Sequence, residues 1–135
     1  MKNFGPWEEV RASGEVENML LVKEFPLYEI AFYHAPLIRD NKEVGENADM
    51  IWPYYREFIG SGHRVRSHSE LLDKAKKFNL PLKDYRPYIQ SRKIASYTET
   101  SGFGFGWERF LQGLLKLPYI EWTVPFPRID STIQP

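Results

Sequence analysis

The chain has 135 residues, 42% hydrophobic and 16% aromatic. That is the size of one globular domain with a single core, too small for a large catalytic domain plus a separate nucleic-acid-reading module. Basic and acidic residues balance at 18 each and cysteine is absent, so a global basic field, disulfides and thiolate metal sites are all excluded. No apolar run approaches a membrane span and no signal-peptide core opens the chain, so a cytoplasmic protein without a membrane partner is the default expectation.

Residues 1–18 are polar, with Gly5-Pro6 and Gly14 as breakers, and read as an irregular or short helical lead-in. The remainder, 19–135, is expected to form a single domain. The runs Met19–Phe25 and Tyr28–His34 are aromatic and β-branched, split by Pro26-Leu27, and read as two strands. Residues 35–47 mix Pro, Asn, Asp and Gly and read as a loop. Asp49–Tyr55 and Glu57–Gly60 form a second strand-like block, where Pro53 marks an edge or a bulge. Gly60-Ser-Gly62 then turns the chain or brings its backbone close to a neighbour.

Ser67-His-Ser-Glu70 has capping-box spacing, and Leu71, Leu72, Ala75 and Phe78 carry a helix to about Asn79. A second helix is expected over Leu82–Lys93 with Tyr85, Tyr88 and Ile89 inward, Pro87 sitting in its first turn or kinking it. Trp107, Phe110, Leu111, Leu114 and Leu115 trace an amphipathic helix ending before Pro118, and Tyr119–Val124 reads as a returning strand. Strands without βαβ alternation predict an α+β fold, an antiparallel sheet flanked by helices. Charge is uneven along this order. Residues 1–57 hold 6 basic and 11 acidic side chains, whereas 64–93 hold 9 and 3. The latter is read as a solvated helical face in preference to a phosphate-facing surface.

Ser101-Gly-Phe-Gly-Phe-Gly-Trp-Glu-Arg-Phe110 is the most informative segment. Glycines at 102, 104 and 106 strip every second side chain from one face of an extended strand, so that a planar ring can lie on the backbone while Phe103 and Phe105 point into the core. Arg109 falls in the first turn of the next helix, where its fork can meet a phosphate; the competing reading is a Gly-rich strand packed against a neighbouring helix, with Arg109 in an ordinary salt bridge. The dinucleotide fingerprint is not met, because the βαβ context and the later acidic residue are missing. Upstream, Asp49 and Glu57 are eight residues apart on adjacent strand segments and Arg64 lies seven further on. Two carboxylates facing one pocket suit Mg²⁺, which shares its remaining positions with phosphate and water. The competing reading makes these exposed charges on ordinary strands. The three histidines show no metal spacing.

Gly102–Arg109, its apolar helix and Pro125-Phe-Pro-Arg128 are similar to motif 3 of class II aminoacyl-tRNA synthetases and its continuation in the asparaginyl/aspartyl type. The resemblance implies that Gly102, Gly104 and Gly106 back the adenine of ATP and that Arg109 contacts its γ-phosphate. It further implies that Asp49 and Glu57 hold Mg²⁺ and ATP phosphates, and that Arg64 grips the side-chain end of aspartate or asparagine. It runs from Glu24 to Ile129, the second half of a family catalytic domain. Motifs 1 and 2 are not found, which implies a homodimer or a partner N-terminal half; tRNA is an implied partner that the charge does not support. Arg56 stands where the family has glycine, a cation placed to draw Glu57 into a salt bridge. Ser61-Gly62 inverts the usual Gly-Ser, and Tyr97–Ser101 replaces the usual Pro-His-Gly-Gly lead-in. In lacking an anticodon module and varying this lead-in, the chain also resembles archaeal paralogues that make asparagine from aspartate, ammonia and ATP. Two readings follow: part of an amino-acid-adenylating ligase, or a degenerate paralogue kept as a binding or regulatory module.

Overall fold

Pro6 opens the first helix of the computed structural model, which describes residues 5–127. The lead-in expected to be irregular or briefly helical is helix α1, Pro6–Val16. Proline at its first position needs no hydrogen-bond partner, and Glu8 reaches back to accept the Gly5 N–H at 3.1 Å. The order then runs β1 Leu20–Lys23, a 3₁₀ turn Leu27–Glu29, β2 Pro36–Arg39, β3 Lys42–Gly45, β4 Asn47–Trp52, β5 Arg56–His63 and α2 His68–Lys77. It continues with α3 Leu82–Gln90, a 3₁₀ turn Ser91–Lys93, β6 Ser101–Phe105, α4 Trp107–Leu115 and a 3₁₀ turn Ile120–Thr123. β1, β4, β5 and β6 make one sheet in that order, and β2 pairs antiparallel with β3. The α+β expectation of a sheet with helices holds.

Of the described residues, 23–48 and 61–103 form one compact unit and 5–22, 49–60 and 104–127 the other. The first has its core in Phe32, Val65, Leu71, Ala75 and Ile89, with Tyr85 and Tyr88 packed against it as the helical spacing predicts. Ser67 caps α2 by accepting the Glu70 N–H. α3 keeps Pro87 in its interior.

Two expectations in this unit fail. Tyr28–His34 is not a strand: the chain makes the 3₁₀ turn and then a further turn in which the His34 N–H donates to Ala31 O at 3.1 Å. Its aromatic residues serve the helices instead, the Phe32 ring meeting Tyr85 and Tyr88 edge-on at 5.2 and 6.1 Å. Residues 35–47 are not a loop but hold the β2–β3 hairpin. Arg39 pairs with Lys42, leaving Asp40 and Asn41 as the turn, with φ of 48° and 60°. Asn and Asp tolerate this left-handed region, which a two-residue hairpin turn demands at both positions.

The second unit is aromatic. Trp52, Phe58, Phe105 and Phe110 meet around Phe58 at centroid distances of 5.4 to 6.0 Å. Pro53 marks neither a strand edge nor a bulge; it lies in the short connection between β4 and β5, where Tyr54 has φ 67°. Helix α4 forms as its periodicity predicts, yet Trp107, Leu114 and Leu115 are more than half exposed while Gln112 and Gly113 are buried. Gly113 explains this, since a side chain there would fall on the Trp52 indole. Tyr119–Val124 is not a strand but carries the last 3₁₀ turn, closed by Thr123 Oγ1 donating to Ile120 O at 2.7 Å. Arg128 lies outside the described residues.

These packings predict opposite outcomes for two glycine substitutions. Gly113→Ala must displace Trp52 and is expected to cost about 3 kcal/mol. Gly104→Ala meets nothing within 4 Å and should stay within about 1 kcal/mol of the parent. Urea unfolding of both variants checks this; a Gly113→Ala protein as stable as the parent would contradict the packing.

Candidate functional site

The glycine strand is built as alternation requires, although its aromatic face differs from expectation. Phe103 is 73% exposed and enters no core, whereas Phe105, 43% exposed, packs against Phe58 and Phe110. Gly104 faces open space, and Gly106 is the N-cap of α4, its N–H donating to Phe58 O at 2.7 Å. Arg109 follows in the first turn of α4 and donates from Nη1 to Gln112 Oε1 at 2.9 Å. That acceptor is neutral, so the guanidinium keeps its full charge without a paired carboxylate among the described residues. Burial first, then Arg56, holds its pKa below the usual arginine value, with Glu9 and Glu121 opposing.

In the same unit Asp49 and Glu57 converge over Gly60. Gly60 lies inside β5, not in a turn. A methyl group on it would collide with Glu57 Oε1 and stand 3.5 Å from Asp49 Oδ1. The bare backbone gives the Glu57 carboxylate room to lean over the strand beside Asp49. Burial, then Glu57, then Glu9 raise the Asp49 pKa to about 6. Burial and Glu9 also raise that of Glu57, opposed by Arg56. Two carboxylates held together at this cost are a fitting donor pair for a hard divalent cation that takes its other oxygens from a ligand. No group of three or more metal-ligating side chains exists among the described residues, so Asp49 and Glu57 would leave coordination positions for a ligand to fill.

Glu9 is the residue that sequence reading missed. It sits on α1, in the segment read as a lead-in, and Arg56 Nε is 3.7 Å from its Oε2. Its signal was present in Gly5-Pro6 followed by Glu8-Glu9, which is how a helix begins. Arg56 therefore pairs with Glu9 and makes no ion pair with Glu57 among the described residues.

Arg64 and Gly102 belong to the other unit. The Arg64 guanidinium lies 4.3 Å over the Tyr33 ring, and Nη2 is 3.0 Å from where a Gly102 side chain would begin. The side-chain-free position here is filled by an arginine. Arg64 Nη1 is buried without a hydrogen-bond partner, and no carboxylate among the described residues pairs with it. A cavity of about 650 Å³ opens beside it, lined by Phe32, Tyr33, Phe78, Tyr85 and Tyr88 among others. Arg92 is engaged in structure: it donates to Val65 O at 3.2 Å and to the Tyr88 hydroxyl at 2.6 Å.

His34 is buried, its ring occupying the space above Gly62, and Lys74 Nζ donates to its carbonyl oxygen. Burial, then Arg64 and Lys74, lower its pKa from 6.5 to about 4. The unfolded chain thus binds a proton below pH 6.5 that the folded chain refuses until about pH 4, so stability falls as pH drops through that window. The loss is expected to reach about 2 kcal/mol at pH 4.5. His34→Gln should flatten this part of the urea-unfolding profile between pH 7 and 4.5, and an unchanged slope would contradict the assignment.

The family model of class II tRNA synthetases (D, K and N) matches residues 8–130. An asparagine–tRNA ligase of Pyrococcus abyssi is 34% identical over 134 residues, 98% of this chain and 30% of that protein. One from Thermus thermophilus is 31% identical over 99% of this chain and 30% of its own length. The crystal structure of asparaginyl-tRNA synthetase from Pyrococcus horikoshii complexed with asparaginyl-adenylate superposes with a TM-score of 0.88 at 32% identity, covering 99% of this chain and 31% of that one. This chain spans about 30% of the length of the relatives it matches. No described helix is long and apolar enough to cross a membrane. With a family model matching nearly its whole length and a fold shared with these synthetases, the chain belongs to the class II tRNA synthetases of the D, K and N group.

Proposed function

We propose that the chain binds ATP with Mg²⁺ and aspartate or asparagine as part of an amino-acid-adenylating ligase. The observation that carries the reading is the Asp49–Glu57 pair leaning over Gly60, with Arg109 in the same unit making no ion pair among the described residues. The asparaginyl-adenylate named for the Pyrococcus horikoshii structure supports the same substrate class for this chain.

The residues divide the work by charge. Asp49 and Glu57 would hold the metal, which supplies positive charge to the nucleotide's phosphates when bound. Arg109 adds a second cation for the terminal phosphate, with its orientation set by Gln112. Gly104 presents backbone with nothing above it, room for a planar base. In the other unit Arg64 has an unused buried N–H beside an aromatic-lined cavity. A carboxylate or carboxamide oxygen would satisfy it, and that is the end group aspartate and asparagine share. In the reaction a carboxylate oxygen of the amino acid attacks the α-phosphorus and pyrophosphate leaves. The acyl group then passes, with AMP leaving, to a tRNA hydroxyl if the α-carboxylate was activated, or to ammonia if it was the side-chain carboxylate of aspartate.

Calorimetry with ATP·Mg²⁺ is expected to show binding that Arg109→Ala weakens at least tenfold, about 1.4 kcal/mol or more. ATP–pyrophosphate exchange should appear with aspartate or asparagine, for the chain alone or together with a synthetase N-terminal half. No heat at millimolar ATP would favour the binding-module reading, and no exchange under either condition would remove the ligase reading.

A further inference from the structure

Arg56 precedes Glu57 directly, yet its guanidinium is directed to α1, where Nε lies 3.7 Å from Glu9 Oε2. Its backbone has φ 99°, a region that a non-glycine residue enters only at a cost. The short connection from β4 therefore imposes where this side chain leaves the strand. Glu9 is well covered, with its side chain 15% exposed, and its Oε2 makes no hydrogen bond, so the ion pair with Arg56, supported at longer range by Arg109, offsets its charge. The Arg56 side chain is itself 45% exposed and so has room to turn. The adjacent alternative is Glu57, whose Oε1 stands over Gly60 with Asp49. A guanidinium and a divalent cation compete for the same carboxylate oxygens, and a guanidinium that settled there would close the pair to metal.

We propose that Glu9 is a positioning residue whose ion pair holds Arg56 away from Glu57, keeping the Asp49–Glu57 carboxylates open to a divalent cation. This rests on the nucleotide–metal reading above and adds a residue to it. It also accounts for an arginine tolerated at a position of φ 99° directly beside the pair: the cation is parked on a carboxylate from the N-terminal helix. Glu9→Gln would release it.

Two measurements test the proposal, each as a double-substitution cycle. The Arg56 Nε–H resonance of isotope-labelled protein should be unmoved by Glu57→Gln in the parent but displaced by it in a Glu9→Gln background. An equal response in the two backgrounds, whether displaced or unmoved, overturns the proposal. Binding of Mn²⁺ with ATP, followed by the free-Mn²⁺ spin-resonance signal, should weaken about fivefold in Glu9→Gln. Arg56→Gly should recover that loss in the Glu9→Gln background while changing the parent little. Loss of one negative charge without release of Arg56 would instead make Arg56→Gly act equally in both backgrounds, which overturns the proposal. A parent protein that binds no Mn²⁺·ATP would sink the nucleotide reading, and the resonance cycle would still decide whether Glu9 holds Arg56.

Discussion

Two carboxylates that repel each other are held over one bare stretch of backbone, and the functional account depends on that constraint. Asp49 comes from β4 and Glu57 from β5, and the glycine at position 60 leaves the space that the Glu57 carboxylate takes beside Asp49. Burial and mutual repulsion push Asp49 to a pKa of about 6. A fold that served stability alone would gain by removing one of the pair or placing a cation directly between them. Instead the nearest cation of the strand is turned to Glu9, and Arg109 is held by a neutral glutamine. Asp49, Glu57 and Arg109 are all kept without an ion pair among the described residues of one unit. That arrangement is unfavourable in isolation and useful for a ligand that brings both a metal and phosphates.

The unit of residues 23–48 and 61–103 repeats the logic with one charge. Glycine at 102 gives the Arg64 guanidinium room, Tyr33 supports its face, and one of its N–H groups remains buried and unused. His34, beside the same cation, is kept neutral by burial and by its neighbours. In both units a glycine that looks like a flexible joint in the sequence is a place where a charged or aromatic side chain sits. Gly113 under Trp52 is the purely structural version of the device.

The legible parts of the fold were those whose signal is local. Helices α2 and α4 have their periodicity and cap residues in one stretch, and strands β1, β4 and β5 are bounded by turn-forming residues. Tyr28–His34 misled because an aromatic run satisfies a strand pattern and a loop packed under helices equally well; burial by α2 and α3, a tertiary fact, decided it. The β2–β3 hairpin was hidden because Asp40-Asn41 is a weaker turn signal than Asn-Gly, although both residues reach positive φ. Of the candidate residues, Asp49, Glu57, Arg64 and Arg109 were singled out through spacing and resemblance. Glu9 was not, since its relation to Arg56 crosses 47 positions of sequence and has no period to reveal it. The expectation that Arg56 would be drawn onto Glu57 failed for the same reason.

A crystal structure of the protein grown with ATP and Mn²⁺, read by the anomalous signal of manganese, tests the central claim most directly. The account predicts an anomalous peak coordinated by Asp49 and Glu57, with phosphate oxygens on its open side. Nucleotide bound with manganese away from both carboxylates, or the two side chains unchanged and metal-free beside bound ATP, would contradict it.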